Sequence, residues 1–159
     1  MPSLILEGGT FRPIFSSGVM DALLDQDIMF PYCIGVSAGI SNGISYISKQ
    51  KGRNMQIMEQ FRNDPRYMGY RNFLRHGSLF GLDFVFGEIP NRHIPMDMDS
   101  YRSYKGKVLV GVTNAHTGLP EYMDGMEADS GWTMLRATCA LPMFFRRLLW
   151  TGENITTAA

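Results

Sequence analysis

Cysteine is scarce in this chain: Cys33 and Cys139 are the two in 159 residues. Two thiols set in apolar stretches, without metal-ligand spacing, exclude a disulfide scaffold and a structural metal site, and point to a reducing compartment. Net charge is lacking as well. Lys+Arg 15 against Asp+Glu 15 leaves +0, with a pI of 6.8, so there is no basic field to hold a nucleic-acid backbone. Long hydrophobic runs are also missing, and nothing approaches the ~20 apolar residues of a membrane-spanning helix. Met1–Glu7 carries no basic segment ahead of an apolar one, so no signal peptide is expected and a cytoplasmic location is. What is present is a core: 45% hydrophobic against 19% charged residues excludes intrinsic disorder and fits one domain.

The first half of the chain is orderly. A short apolar run, Ser3–Leu6, breaks at Gly8-Gly9, as a buried strand feeding a tight loop does. Helical spacing follows over Phe15–Leu24 (Val19, Ala22, Leu23). A second run, Phe30–Val36, ends in Gly35-Val36-Ser37-Ala38-Gly39, after which Ile40, Ile44 and Ile47 mark a helix expected to stop near Gly52. Strand, helix, strand, helix predicts a βαβ unit and an α/β fold on a parallel sheet. Met55–Phe61 reads as helix. Over residues 62–104, Pro65, Pro90 and Pro95 are expected to interrupt any long element. Lys107–Val112 reads as a strand, with Pro120–Met123 pairing to it across Thr117-Gly118, and Trp132–Ala140 as a helix halted by Pro142.

Gly35–Gly39 is a G-x-S-x-G sequence on a strand-to-helix turn. A nucleophile elbow needs small residues there, because its backbone is strained and strand and helix pass close together. A second copy, Gly39–Gly43, lies inside the helix, where the Ser41 hydroxyl is expected to bond back to the carbonyl four residues earlier. For Ser37 two readings stand side by side, a helix N-cap and a nucleophile. The loop Glu7-Gly8-Gly9-Thr10-Phe11-Arg12-Pro13 favours the nucleophile. In a parallel βαβ unit it emerges at the same sheet edge, and its glycines let backbone N–H groups face an oxyanion. It is not a phosphate loop, having neither G-x-G-x-x-G nor a Walker lysine.

Leu6-Glu7-Gly8-Gly9 with Arg12, Gly18-Val19-Met20-Asp21 and Ile34-Gly35-Val36-Ser37-Ala38-Gly39 resemble the patatin-like phospholipase family, and within it the bacterial patatin-like esterases. Gln50–Arg53, Asp64–Tyr67, Gly81–Phe84, Gly111–Asn114 and Leu135–Pro142 fit the same subgroup in order, so the likeness covers residues 4–145. It implies a three-layer α/β fold with a mainly parallel central sheet. It also implies a lipid acyl-ester hydrolase working by a Ser–Asp dyad, without metal or cofactor and with a transient membrane surface as a partner. By position Ser37 would be the nucleophile. Gly8, Gly9 and Thr10 would line the oxyanion hole with the Ala38 N–H, Gly35 and Gly39 would flank the elbow, and Arg12 matches the basic residue of the loop. The other class of reading is a degenerate, non-catalytic relative that at most binds lipid.

Two departures stand out. Thr10 and Pro13 occupy positions where the family commonly has glycine, and Pro13 has no N–H to offer. More seriously, the family's Asp-Gly-Gly, expected downstream of Leu135–Pro142, is missing. Asp124-Gly125 lies upstream and reads as an exposed turn, while His116, the one histidine in a plausible place, reads as a structural or solvated loop residue. The family's usual continuation after Phe145, Pro-Pro-Val, a strand, a Gly turn and Asp-Gly-Gly, is not seen in Arg146–Ala159. Read through the genetic code with each codon starting one base early, however, Trp150-Thr151 must give Asp. With permitted codons the whole tail gives Pro-Pro-Val-Thr-Val-Asp-Gly-Arg-Lys-Tyr-Tyr-Asp-Gly-Gly. The expectation is therefore that residues 1–145 are the N-terminal part of a patatin-like domain and 146–159 a non-native, frameshifted tail. The fold would then be incomplete at its C-terminus, and Ser37 would lack its base.

Overall fold

The protein, seen as a computed structural model, is described over residues 1–70, 72, 74, 80–129, 131–140, 148–150 and 153–157, the last two spans as backbone only. Strand β1 (Leu4–Leu6) leads through the glycine loop into α1 (Pro13–Asp25). Pro13 sits at the first helical turn, where its missing N–H costs nothing and its fixed φ starts the helix. Strand β2 (Tyr32–Val36) then feeds α2 (Ala38–Ile47). Strands β1, β2 and β3 (Lys107–Asn114) pair in parallel, with Leu6 opposite Gly35 and Val36 opposite Gly111. The α/β class and the βαβ unit follow as the alternation predicts.

Antiparallel strands complete the sheet. β4 (Pro120–Asp124) pairs with β3 across the Thr117-Gly118 turn, with Val112 opposite Glu121. Strands β5 (Leu148–Trp150) and β6 (Glu153–Thr157) form a hairpin, and β6 pairs with β3 through Val112 and Thr157. Val112 and Thr113 already bond to β4 on one edge, so β6 takes the other edge, which β2 occupies as far as Gly111. β6 therefore meets the end of β2 head-on.

The core lies where α1 and α2 cover one face of the sheet. Leu6, Cys33, Val108, Val110 and Val112 of the strands pack with Met20, Ile40, Ile44 and Ile47 of the helices, all fully or nearly fully buried. Gly39 lets α2 approach β1, since a Cβ there would come within 2.7 Å of the Leu6 carbonyl oxygen. A smaller cluster joins Phe61 of α3 (Arg53–Phe61) to Phe84, Ile89 and Ile94.

Two expectations are corrected. α2 ends at Ile47, not near Gly52, because the Ser48 hydroxyl donates to the Ile44 and Ser45 carbonyls and Lys49 turns to φ 56°. Gly52 instead starts α3 in the left-handed region. Pro90 does not break the chain but lies inside a π-helix over Phe84–His93. The wider i→i+5 turn moves the i−4 carbonyl out of the ring's path, so the clash that forbids proline in an α-helix is absent. Pro142 lies outside the described residues.

Candidate active site

Ser37 sits at the junction of β2 and α2 with φ 53° and ψ −134°, and its side chain makes no capping hydrogen bond to α2. An N-cap serine holds β-region dihedrals and accepts from an amide two or three residues on; Ser37 does neither. A non-glycine residue held at positive φ is strained, and persists where surrounding structure imposes it. One group holding it is Thr138, fully buried at the end of the helix Thr133–Thr138. Its hydroxyl accepts from the Ser37 N–H at 2.8 Å and donates to the Gly111 carbonyl at 2.6 Å. One side chain thus pins the elbow to β3. Ser41 donates to the Ser37 carbonyl at 3.0 Å, the back-bond its spacing predicts, and its hydroxyl also touches the Cys139 thiol at 3.4 Å. Burial pushes the Cys139 thiol up, so it stays protonated beside the two serines.

The glycine loop lies against Ser37. A Cβ on Gly8 would stand 3.2 Å from the Ser37 Cβ, and one on Gly9, at φ 131°, would strike the Arg12 guanidinium. Thr10 also holds positive φ, at 54°. Among the described residues neither the Gly9 nor the Thr10 amide donates to a protein acceptor. Arg12 is exposed, and its Nη2 reaches back to the Gly8 carbonyl at 3.5 Å. Gly35 and Gly39 are buried between β1 and α2. The loop, the elbow glycines, Ser37 and Ala38 are therefore brought together.

Ser37 and Ala38 open onto a cavity of ≈ 130 Å³, many times what one water needs. Its walls are apolar for the most part, with Phe11, Ile14, Ile57, Leu82, Phe86 and Trp132 among them. Among the described residues no carboxylate and no imidazole lines it. His116 lies in the turn after β3, and His93 packs between Phe61 and Phe84; His76 lies outside the described residues. Asp124 is exposed and caps a short 3₁₀ turn through the Met126 N–H, as a turn residue does. No group of three or more metal-ligating side chains occurs among the described residues, and no helix of the described chain is long and apolar enough to cross a membrane.

Two participants escaped the sequence reading. Thr138 has no local signature, because its partners are 101 and 27 residues away. Arg53 is the other: a guanidinium 6% exposed that lines the cavity. Its Nη1 donates to Ser45 Oγ at 3.3 Å and its Nη2 to the Ile94 carbonyl at 3.0 Å, while Nε is buried without a partner. Burial lowers its pKa to about 10. Its one signal in the sequence was membership of the Gln50–Arg53 stretch that fits the family.

A parallel βαβ core with a strained serine at the strand–helix junction, a glycine loop beside it and an apolar cavity before it defines the nucleophile-elbow class of α/β proteins. The family model for patatin-like phospholipase matches residues 4–157, and the chain belongs to that family. It is also similar to the uncharacterized protein YjjU of Escherichia coli (strain K12), with 27% identity over 150 residues. That alignment covers 91% of this chain and 41% of the relative, so the chain spans less than half the length of that protein. Membership supports lipid hydrolysis at the level of the family.

Proposed function

We propose that this chain carries the nucleophile and oxyanion hole of a serine hydrolase acting on lipid acyl esters. Ser37 Oγ attacks the ester carbonyl. The Ala38 N–H and those of Gly8, Gly9 and Thr10 receive the developing oxyanion, and Arg12 braces the loop from outside. The observation carrying this reading is Ser37 itself, strained, not capping its helix and facing an apolar cavity. An acyl chain fits such walls, and no metal or cofactor is required by the proposed chemistry.

The base is the missing part. In the shifted reading of residues 146–159 an aspartate falls at position 157, the β6 residue opposite Val112. That is one row beyond the Val36–Gly111 pair and on the same edge of β3, next to the elbow. This adjacency supports an aspartate from that frame as the partner that takes the Ser37 proton. With threonine in its place the chain is expected to be nearly inactive. Phe11, Phe15 and Val19, one helical turn apart and each exposed (Phe15 78%), form an apolar stripe beside the cavity, which suits contact with a lipid surface.

The experiment is to sequence the encoding DNA, restore one C after the Phe145 codon, and measure hydrolysis of a p-nitrophenyl acyl ester and labelling by a fluorophosphonate. The expected result is a frame reading on through Asp-Gly-Gly, with activity that Ser37→Ala abolishes. No such frame sinks the tail hypothesis. Labelling unchanged in Ser37→Ala sinks the nucleophile and favours a non-catalytic lipid binder.

A further inference from the structure

A buried guanidinium with no carboxylate beside it is costly, since the charge gives up its hydration without a counter-charge in return. Arg53 is such a group. Among the described residues no carboxylate comes within ion-pair distance of it, and its two acceptors, Ser45 Oγ and the Ile94 carbonyl, are neutral. The polar neighbours are already engaged. Ser45 donates to Asn54 Oδ1, and Asn54 Nδ2 donates to Ser17 Oγ and to the Asn42 carbonyl. The guanidinium lines the cavity that Ser37 opens onto, it has more N–H groups than these two acceptors use, and its Nε is buried without a partner.

Its position along that cavity follows from α2. Ser45 lies eight residues beyond Ser37 on one helical stripe with Ser41, which is about 12 Å at 1.5 Å per residue. A phosphate joined to the scissile ester through a glycerol backbone is only a few bonds from the carbonyl and cannot reach so far. The remote end of a medium acyl chain can, since about 8 to 10 carbons built from ~1.5 Å bonds cover that span.

We infer that Arg53, in the wall of the Ser37 cavity, binds a carboxylate terminating a chain of medium length, so that the site prefers ω-carboxylated acyl groups over plain ones. The inference rests on the acyl-ester reading of the cavity but not on turnover. The guanidinium fork donates two parallel hydrogen bonds to a carboxylate, and the walls between Arg53 and Ser37 take the methylenes. Of two sources of such a carboxylate, an ω-carboxylated ester would lie with its ester at Ser37. A free fatty acid would lie carboxylate inward and block the site.

Equilibrium binding to the chain as it stands tests this, by isothermal titration at pH 8 with monomethyl sebacate, methyl decanoate and decanoate. Monomethyl sebacate is expected to bind at least tenfold more tightly than methyl decanoate. Arg53→Gln should bring the two within about threefold, with its thermal melt recorded beside the parent's to report that the variant is folded. Arg53→Lys should keep part of the preference. Decanoate binding as tightly as the half-ester, with the same dependence on Arg53, identifies the free acid as the source. Equal affinity of half-ester and plain ester in the unaltered chain overturns the inference whatever the variants do, as does a preference that survives Arg53→Gln. Because no step requires the Ser37 nucleophile, failure of labelling at Ser37 and failure of carboxylate binding are read separately.

Discussion

Gly39 presents its backbone to the carbonyl oxygen of Leu6, leaving no room for a side chain: a Cβ would come within 2.7 Å of that oxygen. The contact is backbone against backbone, so neither partner can swing aside. Through it the first turn of α2 is seated on the end of β1, and the elbow is held against the glycine loop.

Gly39→Ala should therefore destabilise the chain by roughly 2–3 kcal/mol or more, as overpacking of a rigid contact does. Gly43→Ala is the comparison. Its Cβ would clash with the Leu6 Cδ1 at 2.5 Å, the tip of a flexible side chain, and otherwise make ordinary contacts with Ile40 Cδ1 and Leu6 Cγ, so it should cost clearly less. Urea denaturation of both variants measures the difference; equal losses would show that Leu6 is not the fixed point.

Ser37→Ala distinguishes the two readings of the serine without any substrate. A capping serine loses about 1 kcal/mol on replacement by alanine. Ser37 makes no cap bond, so its replacement should leave stability within about 0.5 kcal/mol. Ser37→Gly, freed of the φ 53° strain, should match or exceed the parent in melting temperature.

Thr138→Val removes the hydroxyl that holds Ser37 N–H and the Gly111 carbonyl. Two buried polar groups are left without their partner, at roughly 1–3 kcal/mol each, and the Ser37 amide should lose protection in hydrogen exchange. Thr138→Ser keeps the hydroxyl and should restore that protection even where packing suffers. Protection unaltered in the valine variant would mean that the elbow is held by other contacts.

Phe15→Ser concerns the outer surface. Phe15 is 78% exposed and packs little of its ring, so stability should change by no more than about 0.5 kcal/mol. Sedimentation with phosphatidylglycerol vesicles should fall at least threefold if the Phe11–Phe15–Val19 stripe docks on lipid. Binding that persists would move the docking face elsewhere.

The βαβ unit was legible because its signals are local: apolar runs that break at Gly8-Gly9 and at Gly35, and isoleucines recurring at helical spacing along α2. The elbow was legible for the same reason, with Ser37 between a strand and a helix. What removes Ser37 from a capping role was not local. The Ser37 N–H is held by Thr138, and nothing in either segment announces the other. The π-helix over Phe84–His93 was hidden because proline normally ends a helix, and only the widened ladder accommodates Pro90. Arg53 stood in the sequence only as the end of the Gln50–Arg53 stretch, two residues before the helix expected from Met55. Its burial follows from the packing of Ile94 and Ser45 around it, contacts made from 41 residues later and 8 residues earlier in the chain.

The clasp between Thr138 and Ser37 also orders events during synthesis. The two residues are 101 positions apart, and at 5–20 residues per second the ribosome adds the second about 5–20 s after the first. In that interval β1, α1, β2 and α2 can assemble from neighbouring residues, but the Ser37 N–H still lacks the hydroxyl that ties it to β3. A nascent chain stalled before residue 138 should thus carry a relaxed elbow, and the chemistry of the site should arrive late, with the last third of the chain.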